Sequence, residues 1–176
     1  VDADTNALRP RGGVDPDVFR HALAQLAGGV VVVTSADPEG VPAGVTVTAV
    51  CSVSLDPPLV LVCLGAGSRT GEVIRSTGRY AINMLGSGHR SHSERFAEAG
   101  DEKFDGLAWD PGKSGCPVFP GAIAVCECEV EQSIEAGDHT VFIGRVIEAT
   151  ATEAPHSRPL LWYRGRYADT SPEDVA

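Results

Sequence analysis

The chain has 176 residues, 43% of them hydrophobic, which suffices for one domain with a sizeable core. Its formal net charge of −10 opposes a general nucleic-acid function, because duplex binding relies on neutralising phosphates with Lys and Arg. No apolar run approaches the roughly 20 residues of a membrane span, and the N-terminus lacks a basic-then-apolar leader pattern. The expectation is a soluble, unexported, cytoplasmic protein; Arg69, Arg75, Arg90, Arg95 and Lys103 fall within one segment and could form a local anion spot, a solvated charged face being the more usual alternative.

Residues 1–14 and 170–176 are polar and broken by Pro and Gly, and read as loose tails around one domain over 15–169. Asp15 caps a predicted helix with Pro16 at its first position. Phe19, Ala22, Leu23 and Leu26 form an i, i+3, i+4, i+7 stripe expected to pack on a sheet. Strand Val30 to Ser35 then turns at ADPEG into GVTVTAVCSVSLDPPLVLVC. That stretch is unusual for a core strand, because Thr46, Thr48, Ser52 and Ser54 alternate with Val45, Val47, Val53 and Leu55. Period-2 geometry puts the hydroxyls on one face, which suits a ligand rich in hydrogen-bonding edges.

The aliphatic strand ending at Cys63 and Leu64 leads into GAGSRT and a short helix to about Thr77. Glycines, Ser68, Arg69 and Thr70 at a helix start suit a phosphate, although Ser68 is equally an ordinary N-cap. A strand from Arg79 to Leu85 and a polar helix around Ser91 to Ala99 follow, then KFDGLAW and an irregular Pro/Gly stretch to Gly121. Two long strands, about 122–134 and 139–152, meet at EAGD, and a last strand runs from Pro159 through LLWYRGRYAD. About seven strands with two or three short helices make a mainly β domain, and closure into a barrel would remove its exposed edges.

The five cysteines show no CxxC and no zinc spacing, which points to reduced thiols. Cys126 and Cys128 read as small core residues, with Glu127 and Glu129 facing outward. His21, His89, His92, His139 and His156 are scattered without HExxH, so no metal site is expected. There is no GxSxG elbow, and aliphatic surroundings raise a thiol's pKa, so neither a serine nor a cysteine nucleophile is indicated. His139 follows Gly137-Asp138 at a hairpin mouth, where a side chain can reach a cavity from a rigid sheet. The plainer alternative is a turn histidine beside an Asp that bonds local backbone.

Taken together and in order, GVTVTAVCSVSLDPPLVLVCL, the SRT helix entry, STGRYAIN, KFDGLAW, GDHTVFIGRV and PLLWYRGRY resemble the flavin reductase-like family over about residues 15–169. The resemblance implies an FMN-binding split β-barrel, usually a homodimer with flavin near the subunit interface. It also implies an NAD(P)H:flavin oxidoreductase that uses NADH or NADPH to reduce FMN or FAD for a separate monooxygenase component. Carried over by position, Gly44, Val45, Thr46, Thr48 and Ala49 would meet the flavin ring edge and ribityl chain. Cys63 and Leu64 would line the flavin, Ser68, Arg69 and Thr70 would hold its phosphate end, and Arg95 and Phe96 would add a flavin-side contact. Gly137, Asp138, His139 and Thr140 match the nicotinamide-side motif, and Tyr167 an aromatic closing that side. The chain departs from the common pattern at Thr48-Ala49, where relatives often carry Asn-Ser, so Ala49 would offer only its N–H. The hydride step needs no acid/base pair, so no residue is assigned as catalytic acid or base. The rivals are a flavin- or haem-binding module without activity and a flavin-dependent oxidase on a related barrel.

Overall fold

The computed structural model describes residues 13–100, 102–152 and 158–170. Most of both expected tails, and His156, lie outside the described residues. The elements in chain order are α1 (Pro16–Leu23), β1 (Gly28–Gly29), β2 (Val31–Ala36), β3 (Pro42–Val47), β4 (Val50–Leu55), β5 (Pro58–Gly65), α2 (Arg69–Thr77), β6 (Arg79–Met84), α3 (Arg90–Ala97), β7 (Asp110–Pro111), β8 (Pro117–Val118), β9 (Ala124–Ala136), β10 (His139–Ala151), β11 (Leu161–Tyr163) and β12 (Arg166–Ala168). Seven strands form one sheet in the order β3-β2-β6-β9-β10-β5-β4, and every pairing in it is antiparallel.

The mainly β class and the split-barrel architecture agree with the sequence, but the sheet does not close. β3 and β4 are consecutive in the chain, yet they are the two edges of the sheet. The chain turns between them at Thr48-Ala49, where the amide of Val50 bonds the carbonyl of Thr48 and that of Cys63 bonds the carbonyl of Ala49. The expected shared hydroxyl face is therefore divided: Thr46 lies on one edge strand and Ser52 and Ser54 on the other. A bulge between Ser52 and Ser54 interrupts the alternation as well.

The valine run of β2 is explained by burial on both faces. Val31 and Val33 join an inner core with Val62, Leu64, Ile74, Tyr80, Ile82, Cys128 and Phe142. Val30 and Val32 join an outer core with Leu85, Phe96, Phe104, Phe119 and Leu160. Asn83, fully buried on β6, fastens the irregular 105–121 segment to the sheet. Its Nδ2 donates to the carbonyl of Pro117 (3.2 Å), and its Oδ1 accepts from the amide of Phe119 (2.9 Å).

Three expectations are corrected here. The α1 stripe does not pack on the sheet: no residue of α1 is buried, and Phe19 and Leu23 stay 55% and 52% exposed. The reason is local, since the chain after α1 is tied to the β11–β12 turn through Arg164, whose amide bonds the carbonyl of Ala24 and whose Nε bonds Gln25. Glu127 does not face outward to solvent. It is buried, and one carboxylate oxygen accepts from the amide (2.7 Å) and hydroxyl (2.6 Å) of Ser114, because the β7–β8 turn folds over it. The last strand is a hairpin, broken at Arg164 and Gly165, which both adopt positive φ (49° and 76°).

Candidate functional site

A cavity of about 480 Å³ opens where β3, the end of β5 and the start of α2 converge. Gly44, Val45 and Val47 form its β3 wall, Leu64 and Gly65 its β5 side, and Ser68, Arg69 and Thr70 its helical end. Ser68 is the N-cap of α2, accepting from the amide of Gly71. Helix start and N-cap thus coincide with the cavity: Ser68 is the N-cap and also lines it.

The tight approach at Gly44 shapes this wall. A Cβ there would lie 2.7 Å from Cε1 and 2.8 Å from Cδ1 of Phe96, so only glycine lets α3 press against β3. Phe96 is consequently a buried backing residue behind the wall and does not line the cavity. Arg95 is exposed, donates to the carbonyl of Asp105 (2.8 Å), and lines a neighbouring cleft that adjoins the cavity through Ala99, Gly100 and Lys103.

Lys103, expected only as part of a local cationic spot, is a contributor that the family resemblance did not place at the site. Its Nζ donates to the carbonyl of Phe96 (3.2 Å) and sits 3.5 Å from that of Gly44, which fixes the ammonium beside the wall. The KFDGLAW motif was the available signal: its lysine opens onto the cavity, and its Phe104 lines it. Among the described residues lining the cavity, Arg69 and Lys103 are cationic and none is acidic, in a chain of net charge −10. The expected cationic spot is therefore reduced to these two residues at the cavity.

A second cavity, about 260 Å³, adjoins the first at Val47. Thr46, Thr48, Ser93, Trp162 and Tyr167 supply its polar and aromatic lining. The Thr46 hydroxyl donates to the carbonyl of Ser93 (2.7 Å), and the Ser93 hydroxyl is 2.9 Å from that of Tyr167. The two cavities form one groove along the β3 edge, with a cationic end and an aromatic end.

The β9–β10 turn adjoins the β5 end of the cationic cavity, and its residues, His139 included, line neither cavity. His139 pairs with Gly65 across β10 and β5, and the amide of Ala66 bonds the carbonyl of Asp138 (2.9 Å). The His139 side chain is half exposed, and its Nδ1 lies 2.8 Å from the Asp138 carboxylate, whose pKa His139 lowers by hydrogen bonding and charge. An ionised carboxylate only accepts, so Nδ1 is the donor of this contact. Thr140, on the opposite face, is buried and accepts from Arg75 Nη2 (2.6 Å), so it anchors α2 to β10. Cys63 alternates with Leu64 and lines neither cavity; burial raises its pKa. Ala49 also lines neither cavity.

Among the described residues, no group of three or more His, Cys, Asp or Glu is placed to hold a metal. Among the described residues, no helix is long and apolar enough to cross a membrane. His89 and His92 do meet, with ring centroids 5.1 Å apart, and His92 stacks edge-on to Phe119.

Residues 23–171 match the family of the Flavin reductase like domain. A probable flavin reductase of Rhizobium meliloti is 44% identical over 87% of this chain, which spans 48% of that protein. An NADH flavin reductase of Kitasatospora aureofaciens is 41% identical over 89% of this chain and 83% of its own. Among solved structures, nitrilotriacetate monooxygenase component B of Mycobacterium thermoresistibile superposes with a TM-score of 0.86 at 36% identity, covering 91% of this chain and 89% of that one. A Streptomyces globisporus NADH:FAD oxidoreductase in complex with NAD and FAD fragments gives 0.84 at 34% identity, covering 93% and 99%. With the groove and the ordered motifs, these similarities establish that the chain belongs to the flavin reductase-like family.

Proposed function

We propose that this protein is an NAD(P)H:flavin oxidoreductase that reduces FMN or FAD and supplies the reduced flavin to a separate monooxygenase component. The observation that carries the reading is the groove along β3, cationic and free of lining carboxylates at the α2 N-terminus, hydroxyl-lined and aromatic at the other end. Such a surface fits a flavin phosphate at Ser68, Arg69, Thr70 and Lys103, and a ring system toward Thr46 and Thr48. The relatives support it, since one is named an NADH flavin reductase and another the reductase subunit of a flavin-dependent monooxygenase.

When bound, the nicotinamide and flavin supply the hydride chemistry. The chain's part is to hold the two rings in register, with β3 behind the flavin and His139 and Tyr167 on the dinucleotide side. Placement of this kind is worth about 7–11 kcal/mol in well-oriented systems, and the hydride step itself needs no acid/base pair.

The exposed apolar stripe of α1 and the 94% exposed Leu55 on β4 support a homodimer, because a second copy would remove that surface from water. Five free cysteines agree with a reducing compartment such as the cytoplasm.

The test is NADH or NADPH absorbance decay with added FMN, FAD or riboflavin. Flavin-dependent decay is expected, and its absence with both nicotinamides would overturn the reading in favour of a binding module. His139→Ala should weaken apparent NADH affinity several-fold, about the loss of one hydrogen bond, and flavin affinity less. Equal losses would remove His139 from the dinucleotide side.

A further inference from the structure

We infer that Ser93 is a positioning residue that clamps Tyr167 to the flavin strand. The inference rests on the flavin reductase reading above, and it adds a residue that acts through Tyr167. Tyr167 belongs to a three-residue strand at the edge of the small β1-β11-β12 sheet, so strand pairing alone constrains its ring weakly. Its orientation comes from α3. The Ser93 hydroxyl is 2.9 Å from the Tyr167 hydroxyl, and the Arg90 guanidinium lies over the ring at 4.8 Å from its centroid. Trp162 closes the other side edge-on at 4.9 Å.

The same serine fastens β3. Its carbonyl accepts the Thr46 hydroxyl at 2.7 Å, so one helical residue ties the strand assigned to flavin to the aromatic assigned to the dinucleotide. Ser93 has no exposed surface, so these bonds act away from competing water although the residue borders the aromatic cavity. The two ties are chemically separable. Ser93→Ala deletes the hydroxyl held by Tyr167 and keeps the carbonyl held by Thr46.

The experiment compares wild type, Ser93→Ala, Tyr167→Phe and the double variant in three measurements: FMN affinity, NADH KM against kcat, and NAD⁺ binding to the FMN-loaded protein by calorimetry. Each single variant should raise NADH KM and weaken NAD⁺ binding about fivefold, the value of one hydrogen bond, with kcat within about twofold and FMN affinity unchanged. The double variant should be no worse than Tyr167→Phe alone, since both remove the same bond. Wild-type KM in Ser93→Ala, or losses that multiply in the double variant, would overturn the clamp. So would a fall in thermal stability with no change in KM, because that marks an ordinary buried serine. If Ser93→Ala fails to fold, Tyr167→Phe removes the same bond from the other side and decides by the same KM criterion. Failure of wild type to bind FMN and consume NADH would sink the reductase reading and the clamp with it. Normal wild-type behaviour beside unmoved variants sinks the clamp alone.

Discussion

The two ends of the β3 groove are built by different means. At the α2 end the walls are backbone and helix start: Gly44 is pressed by Phe96, Ser68 caps the helix, and Lys103 is pinned to two carbonyls. At the aromatic end the walls are side chains on short strands, with Trp162 38% exposed and Tyr167 held through α3. A site made of sheet and helix backbone is rigid by construction, whereas one made of tethered side chains depends on each tether. Damage to the backbone wall of the first end should therefore cost structure and binding together, and damage at the second should cost binding alone.

The sharpest way to break this contrast is to remove the cations of the first end. Arg69→Ala and Lys103→Ala should each weaken FMN on the order of tenfold, as expected for charge-assisted bonds, while riboflavin, which lacks the phosphate, should bind as before. Fluorescence titration with the two flavins reads the difference. Equal losses for both would detach the cationic end from phosphate.

Gly44→Ala tests the rigid wall directly. The added methyl meets the Phe96 ring, so overpacking should cost about 1–3 kcal/mol in unfolding free energy and weaken FMN in parallel. A variant of wild-type stability with weakened FMN would show that the wall tolerates the methyl and that structure and binding are separable there.

The smallest effect concerns the base of α3, which supports the aromatic end. Burial, then the neighbouring His89 and Arg95, lower the His92 pKa below its ordinary value. Its unfolded form takes a proton near pH 6.5, before the folded form does, so stability contributed by neutral His92 is present above that pH and declines as pH falls toward the folded pKa. Unfolding measured from pH 7.5 to 5.5, a span chosen to bracket about 6.5, should slope less steeply in His92→Gln. An unchanged slope would place the acid sensitivity elsewhere.

Much of this was legible in the chain. Alternation in 44–55, the Asp15-Pro16 cap, the Ser68 entry and the Gly137-Asp138 turn located elements whose causes are local, and six ordered motifs located the family. Thr46, Thr48, Ser68, Arg69 and Thr70 do reach the groove. Phe96, Cys63 and Thr140 were less legible, because period-2 or helical position says that a residue faces inward but not whether the inside is a cavity or a core. Glu127 misled for a related reason: its strand face was covered by the distant β7–β8 turn, which no local pattern announces.

What the sequence determined by itself was the inventory: mainly β, a helix-capping serine beside an arginine, and a hairpin bearing His139. Each follows from propensities and turn chemistry acting over a few residues. What only the tertiary structure decided was adjacency. It made the consecutive strands β3 and β4 opposite edges of one sheet, brought Lys103 to the Gly44 wall, left the α1 stripe exposed, and joined Thr46 to Tyr167 through Ser93. These contacts span 47 to 74 positions for Ser93 and 59 for Lys103, and such separations are settled by the packing of the whole sheet.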